Sequence, residues 1–116
     1  MNIEIEHPQE GKIVVRPQGR VDIETGPVLK ERLQDLVKTD GLTVVVDLKE
    51  VDFIDSSGLS ALVSGLKALR EREGTMHLVQ PQPQARTALR LTLLDRVFSI
   101  FLTIEQALNN GELLDT

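Results

Sequence analysis

The strongest constraint on this chain is the run Leu42 to Leu48, in which Val44, Val45 and Val46 stand side by side. An amphipathic helix spaces its apolar residues by three and four, and a half-buried strand alternates them. This run does neither. Short, β-branched and bounded by turn residues, it predicts a central strand covered on both faces. A strand of that kind belongs in a parallel or mixed sheet with helices packed against it, so the chain reads as α/β.

The flanking segments agree. Ile3 and Ile5 alternate with Glu4 and Glu6, which predicts a half-buried strand. Pro8 to Gly11 is turn chemistry, and Lys12 to Pro17 reads as a second strand closing a hairpin. Gly19 to Gly26 reads as a loop. Helix one follows, with Thr25 as N-cap, Pro27 in the first turn, and Leu29, Leu33, Leu36 and Val37 as its apolar stripe. Helix two starts near Ser57 and carries Leu59, Leu62, Val63, Leu66 and Leu69 at helical spacing. Gly74 sits where its C-terminal cap belongs. Met76 to Val79 reads as the fourth strand and Arg86 to about Leu94 as a third helix. Val97 and Phe98 suit a short strand. Thr103 opens a last helix, with Gln106 completing a capping box. The predicted order is ββαβαβα(β)α: a mixed sheet of four to five strands against about four helices, with right-handed crossovers. Residues 1–110 read as one domain, the tail from Asn109 as frayed, and 111–116 as a flexible C-terminal extension.

Composition narrows the function. Acids outnumber Lys plus Arg by 18 to 13, and there is no Tyr or Trp, so neither a phosphate-gripping nor a base-stacking nucleic-acid protein is expected. Without cysteine there is no disulfide, thiol catalysis or Cys-type zinc site. The acid-bearing N-terminus does not read as a signal peptide. No apolar run approaches the ~18 residues of a membrane span, so no membrane insertion is expected and the cytoplasm is the default.

The chemistry concentrates in Val51-Asp52-Phe53-Ile54-Asp55-Ser56-Ser57-Gly58-Leu59. Two adjacent hydroxyls, flanked by an acid and a glycine, fall where a helix begins. Unpaired N–H groups and a partial positive charge collect there. A serine at that place can simply cap the helix, which contributes ~1 kcal/mol. It can also carry a phosphate, about −1.5 to −2 charges, at a point that tolerates one. With two serines, one can cap while the other stays free.

Competing chemistry fits less well. Asp47, Asp52 and Asp55 suggest a Mg²⁺ site or an aspartyl phosphoacceptor. The acidic pair of a receiver domain is missing after strand one, however, and loop solvation explains these acids. Gly58-Leu59-Ser60-Ala61-Leu62 lacks the second glycine of a nucleophile elbow. His7 and His77, the only two histidines, sit in or beside predicted strands. There is no GxxxxGK[ST] or GxGxxG loop. Arg70 to Glu73 reads as a solvated helix end. Between Asp22 and Glu24, Ile23 either tucks inward or is left for a partner. No metal and no cofactor are expected.

These residues resemble the STAS domain, specifically the small single-domain anti-sigma factor antagonists. The resemblance spans about Ile3 to Leu108. It is carried by Gly19-Arg20-Val21-Asp22 with Thr25, by Val44-Val45-Val46-Asp47-Leu48 and, most specifically, by Asp55-Ser56-Ser57-Gly58-Leu59. Leu94 to Phe101, Thr103, Glu105, Gln106 and Ala107-Leu108 add support. The resemblance implies a binding protein, not an enzyme. Unphosphorylated, it would hold an anti-sigma factor that is also a serine kinase, freeing a sigma factor. Phosphorylation would end that complex, and a PP2C-type phosphatase would reset it. Ser56 would be the phosphoacceptor, Ser57 the second choice and the likelier cap of the two under this scheme. The partner surface would comprise Asp22, Ile23, Glu24, Thr25, Asp55, Ser56, Ser57, Gly58, Ser60, Ala61 and Ser64, with Gly58 permitting close approach. Gly26-Pro27 is stiffer than the family's usual residues there. A STAS subunit of a membrane lipid-transport ATPase and a small-ligand or nucleotide sensor are the alternatives.

Overall fold

A computed structural model describes residues 1–109. The frayed-tail expectation beyond Asn109, including the extension 111–116, lies outside the described residues. In chain order the elements are β1 (Asn2–Gln9), β2 (Lys12–Val21), α1 (Gly26–Leu36), β3 (Thr43–Asp47), β4 (Val51–Ile54) and α2 (Ser56–Arg70). They continue with β5 (Thr75–Val79), α3 (Pro83–Leu91), a 3-10 turn at Leu94–Arg96, β6 (Ser99–Phe101) and α4 (Ile104–Leu108).

The sheet runs β1-β2-β3-β5-β6, with β4 beside β2. Only β1 and β2 are antiparallel; the other pairs are parallel. The valine run is the central strand β3, and its pleat divides it between two layers. Val44 and Val46 face the large core with Leu29 and Leu33 of α1 and Leu59, Leu62, Leu66 and Leu69 of α2. Val45 faces the opposite side, where it meets Val14, Val79 and Ala107 under α4. Alternate side chains of one strand thus supply both cores, which is why no polar residue interrupts the run.

The structure adds a strand to the predicted set and moves the bounds of β2, α3 and the last strand. β2 does not stop at Pro17. Gly19 takes φ +87°, and the register shifts between Gly19 and Arg20. β2 parts from β3 after Val15 and pairs with the added strand β4 from Gly19 on, and the extra residue of the bulge, Asp52, lies on β4. Pro17 interrupts nothing because the strand is leaving β3 there. α3 begins at Pro83, where a missing N–H costs nothing, and ends early because Leu93 takes a left-handed φ of +63°. The 3-10 turn then takes up Leu94–Arg96, so the last strand is Ser99–Phe101 and not Val97-Phe98. Phe98 is buried all the same, packed into the main core. Among the described residues, no helix is long and apolar enough to cross a membrane.

Candidate functional site

The site forms where β2 and β4 end side by side. The Asp55 N–H donates to the Val21 carbonyl at 3.2 Å, which ties the start of α2 to the loop that leads into α1.

Asp55, not a serine, caps α2. Its Oδ1 accepts from the N–H groups of Ser57 (2.9 Å) and Gly58 (3.2 Å). An aspartate caps as well as a serine and adds a full negative charge at the positive end of the helix. The expectation that one serine caps is therefore corrected. Ser56 and Ser57 occupy the first turn, and neither hydroxyl has a hydrogen bond among the described residues. Ser56 is exposed and Ser57 half-buried.

The two hydroxyls open on different surfaces. Ser56 lines a shallow groove of about 350 Å³ with Leu59, Ser60, Val63, Ser64, Thr92 and Leu94. Ser57 lines a second groove, of about 280 Å³, with Gly26, Pro27 and Lys30 of α1. Ser60 and Ser64 border both, so the outer face of α2 is a ridge of hydroxyls between two grooves.

The loop from Asp22 to Thr25 is closed on itself. Asp22 Oδ1 accepts from the N–H groups of Glu24 (3.0 Å) and Thr25 (3.2 Å). Thr25 Oγ1 donates to the Arg20 carbonyl at 2.7 Å and accepts from the Asp22 N–H at 2.9 Å. Thr25 thus stands at the α1 N-cap position but spends its hydroxyl on the loop. Arg20 lies over the Phe53 ring at 4.2 Å and approaches Asp22 Oδ2 at 3.5 Å. Inside this frame Ile23 is 75% exposed, so it does not tuck inward.

The loop's geometry sets the acidity of Asp22. The Thr25 N–H first, and the Glu24 N–H next, hold its carboxyl below the ordinary value of 3.8. A depressed folded value stabilises the loop above the ordinary value, and that contribution is lost as pH falls through the folded value. Carboxyl-carbon NMR against pH is expected to place the Asp22 midpoint below 3.8, with the Glu24 and Thr25 amide shifts following it. A midpoint at or above that value would refute the closed loop.

Two expected contact residues are buried, although Ala61 still borders the groove beside Ser57. Gly58 is buried: a Cβ there would lie 2.5 Å from Ile54 Cγ1 and 2.6 Å from the Val21 carbonyl oxygen. Its missing side chain admits β2 and β4, not a partner. Ala61 is 1% exposed, because the face of α2 one residue beyond Ser60 lies against α1 and the core. The remaining expected residues, Asp22, Ile23, Glu24, Thr25, Asp55, Ser56, Ser57, Ser60 and Ser64, are half-buried or exposed.

Sequence reasoning missed Lys30, Thr92 and Leu94, which wall the two grooves. It also missed Gln84, whose side-chain amide accepts from the Ile54 N–H and donates to the Ile54 carbonyl, both at 2.8 Å. Gln84 so stands in for a strand neighbour along β4. These residues come from elements distant in sequence, and no local pattern marks them.

Of the candidate acid–base groups, Asp47 and His77 lie on β3 and β5, outside the α2 start. Asp47 is buried, approaching Arg16 at 3.4 Å and accepting from the Lys49 N–H. His77 is buried in β5 with its ring edge-on to Phe101. Among the described residues, no group of three or more His, Asp or Glu side chains is placed to hold a metal.

The STAS domain family pattern matches residues 2–107. The anti-sigma-B factor antagonist of Listeria monocytogenes is 31% identical over 101 residues, 87% of this chain and 78% of that protein. A solved anti-sigma factor antagonist from Mycobacterium paratuberculosis superposes with a TM-score of 0.83 at 29% identity, covering 96% of this chain and 93% of that one. The Bacillus cell fate determinant SpoIIAA, solved in its phosphorylated form, shares the fold with a TM-score of 0.73 at 19% identity over 94% and 98% of the two chains. With the hydroxyl-bearing helix start, the closed acidic loop and the two-layered valine strand in place, the chain belongs to the STAS-domain family, among the anti-sigma factor antagonists.

Proposed function

We propose that this protein is a phosphorylation-controlled binding module acting in the cytoplasm. Its partner is an anti-sigma factor that is also a serine kinase, and Ser56 is the residue modified. The observation that carries this reading is the division of labour at the start of α2. Asp55 caps the helix, which leaves the Ser56 hydroxyl exposed and without a hydrogen bond among the described residues. Adding or removing a phosphate there breaks no hydrogen bond among the described residues.

The chain performs little chemistry in this scheme. The kinase brings nucleotide, metal and base, and this protein presents an alcohol on a shaped surface. That surface comprises the Asp22–Thr25 loop with its exposed Ile23, the Ser56–Ser57 turn, and the α2 ridge at Ser60 and Ser64. Phosphate on Ser56 lies next to the Asp55 carboxylate and projects into the docking face, where it adds bulk and about two negative charges. A PP2C-type phosphatase resets the switch. Ser57, half-buried against α1, is the less accessible acceptor.

The test is incubation with the anti-sigma kinase of the same organism and Mg-ATP, followed by peptide mass spectrometry. Phosphate is expected on Ser56. Phosphate found only elsewhere, or none, overturns the assignment.

A further inference from the structure

A second recognition surface lies at the far edge of the sheet. Residues 83–102 contain Arg86, Arg90 and Arg96 against the single acid Asp95, in a chain whose total is 18 acids to 13 bases. Arg86 and Arg90 stand one turn apart on α3, so they share a face. Both are exposed, and neither guanidinium has a hydrogen bond or ion pair among the described residues. Together with Asp95 they flank a groove of about 320 Å³ whose remaining lining is Ile100, Phe101 and Leu102. Leu102 is 68% exposed. The groove runs along β6, the last strand of the sheet, whose outer side has no strand neighbour among the described residues. It shares no lining residue with either groove at Ser56 and Ser57.

Each element of this surface selects for the same kind of occupant. An unpaired strand edge binds an extended chain through backbone hydrogen bonds. The apolar lining takes alternate side chains of such a chain. Two guanidiniums without counterions among the described residues can hold carboxylates, and they do so with directional, paired N–H donors. The surface is a cleft, which suits a polypeptide better than the flat face of a bilayer. We propose that the β6–α3 groove docks an extended, acidic and aliphatic segment of a second protein, separate from the partner that sits on Ser56.

The test uses the isotope-labelled full chain and the synthetic peptide acetyl-Asp-Val-Glu-Val-Asp-Val-amide, followed by amide chemical shifts. Saturable shifts are expected in Ser99 to Leu102 and along α3, with the Asp22–Thr25 loop and the α2 start unmoved. The double variant Arg86→Glu/Arg90→Glu, with its dispersed spectrum retained, is expected to bind about tenfold more weakly or worse. Acetyl-Lys-Val-Lys-Val-Lys-Val-amide is expected not to bind. Absence of shifts, shifts centred on Ser56, or equal binding by the double variant or the lysine peptide overturns the proposal. Sedimentation with phosphatidylglycerol vesicles without any response to the acidic peptide also overturns it, and assigns the arginines to a membrane surface instead.

Discussion

Ser56→Asp is expected to weaken binding to the anti-sigma factor by about a hundredfold, while Ser56→Ala leaves it within about twofold. Alanine removes an oxygen that bonds nothing among the described residues, because Asp55 supplies the cap. Aspartate places a second carboxylate next to Asp55 and carries it into a face that must be desolvated on docking. An uncompensated charge buried at an interface costs about 3–5 kcal/mol, and each 1.4 kcal/mol is a factor of ten. Calorimetric titration of both variants against the purified partner measures the difference. Equal losses in the two would mean that hydroxyl contacts, and not charge, decide the affinity. Thermal unfolding of both is expected to match the parent, which separates a switch from a damaged fold.

Gly58→Ala is expected to act on the fold, lowering stability by about 3 kcal/mol or more. The added methyl would meet Ile54 Cγ1 at 2.5 Å, the Val21 carbonyl oxygen at 2.6 Å and Val21 Cγ1 at 2.8 Å. A side chain can rotate away, but a backbone carbonyl in a strand cannot. Relief would push α2 off the ends of β2 and β4 and spread the corner that positions Asp22 and Ser56. Denaturant unfolding reads the loss, and partner affinity is expected to fall with it. A variant of parental stability would show that this junction is not tightly packed.

The sequence disclosed best what rests on uninterrupted apolar pattern. Val44, Val45 and Val46 admit one interpretation, and the strand they form lies in the middle of the sheet with a core on each side. The α2 stripe at Leu59, Leu62, Leu66 and Leu69 was equally plain. β4 was hard to see because four residues are too few to show a period, and it pairs with the far end of β2, past the stretch that pairs with β3. The identity of the cap was undetermined, since Asp and Ser serve that position almost equally and only geometry ranks them. Ala61 illustrates the same limit. It lies next to Ser60 in sequence, yet a rotation of about 100° along the helix takes it from solvent into the core. Thr92 and Leu94 reach the Ser56 groove from beyond α3, a proximity that belongs to the tertiary structure alone.

The Asp55 cap has an evolutionary corollary. In the proposed switch, helix capping and modification reside in different side chains, so a change at position 56 is expected to cost little stability. A gene duplicate that exchanged this serine for alanine would fold as its parent does and escape inactivation, becoming a permanently active paralogue in one step. Exchange of Asp55 offers no comparable route, because a single mutation there disturbs scaffold and signal together.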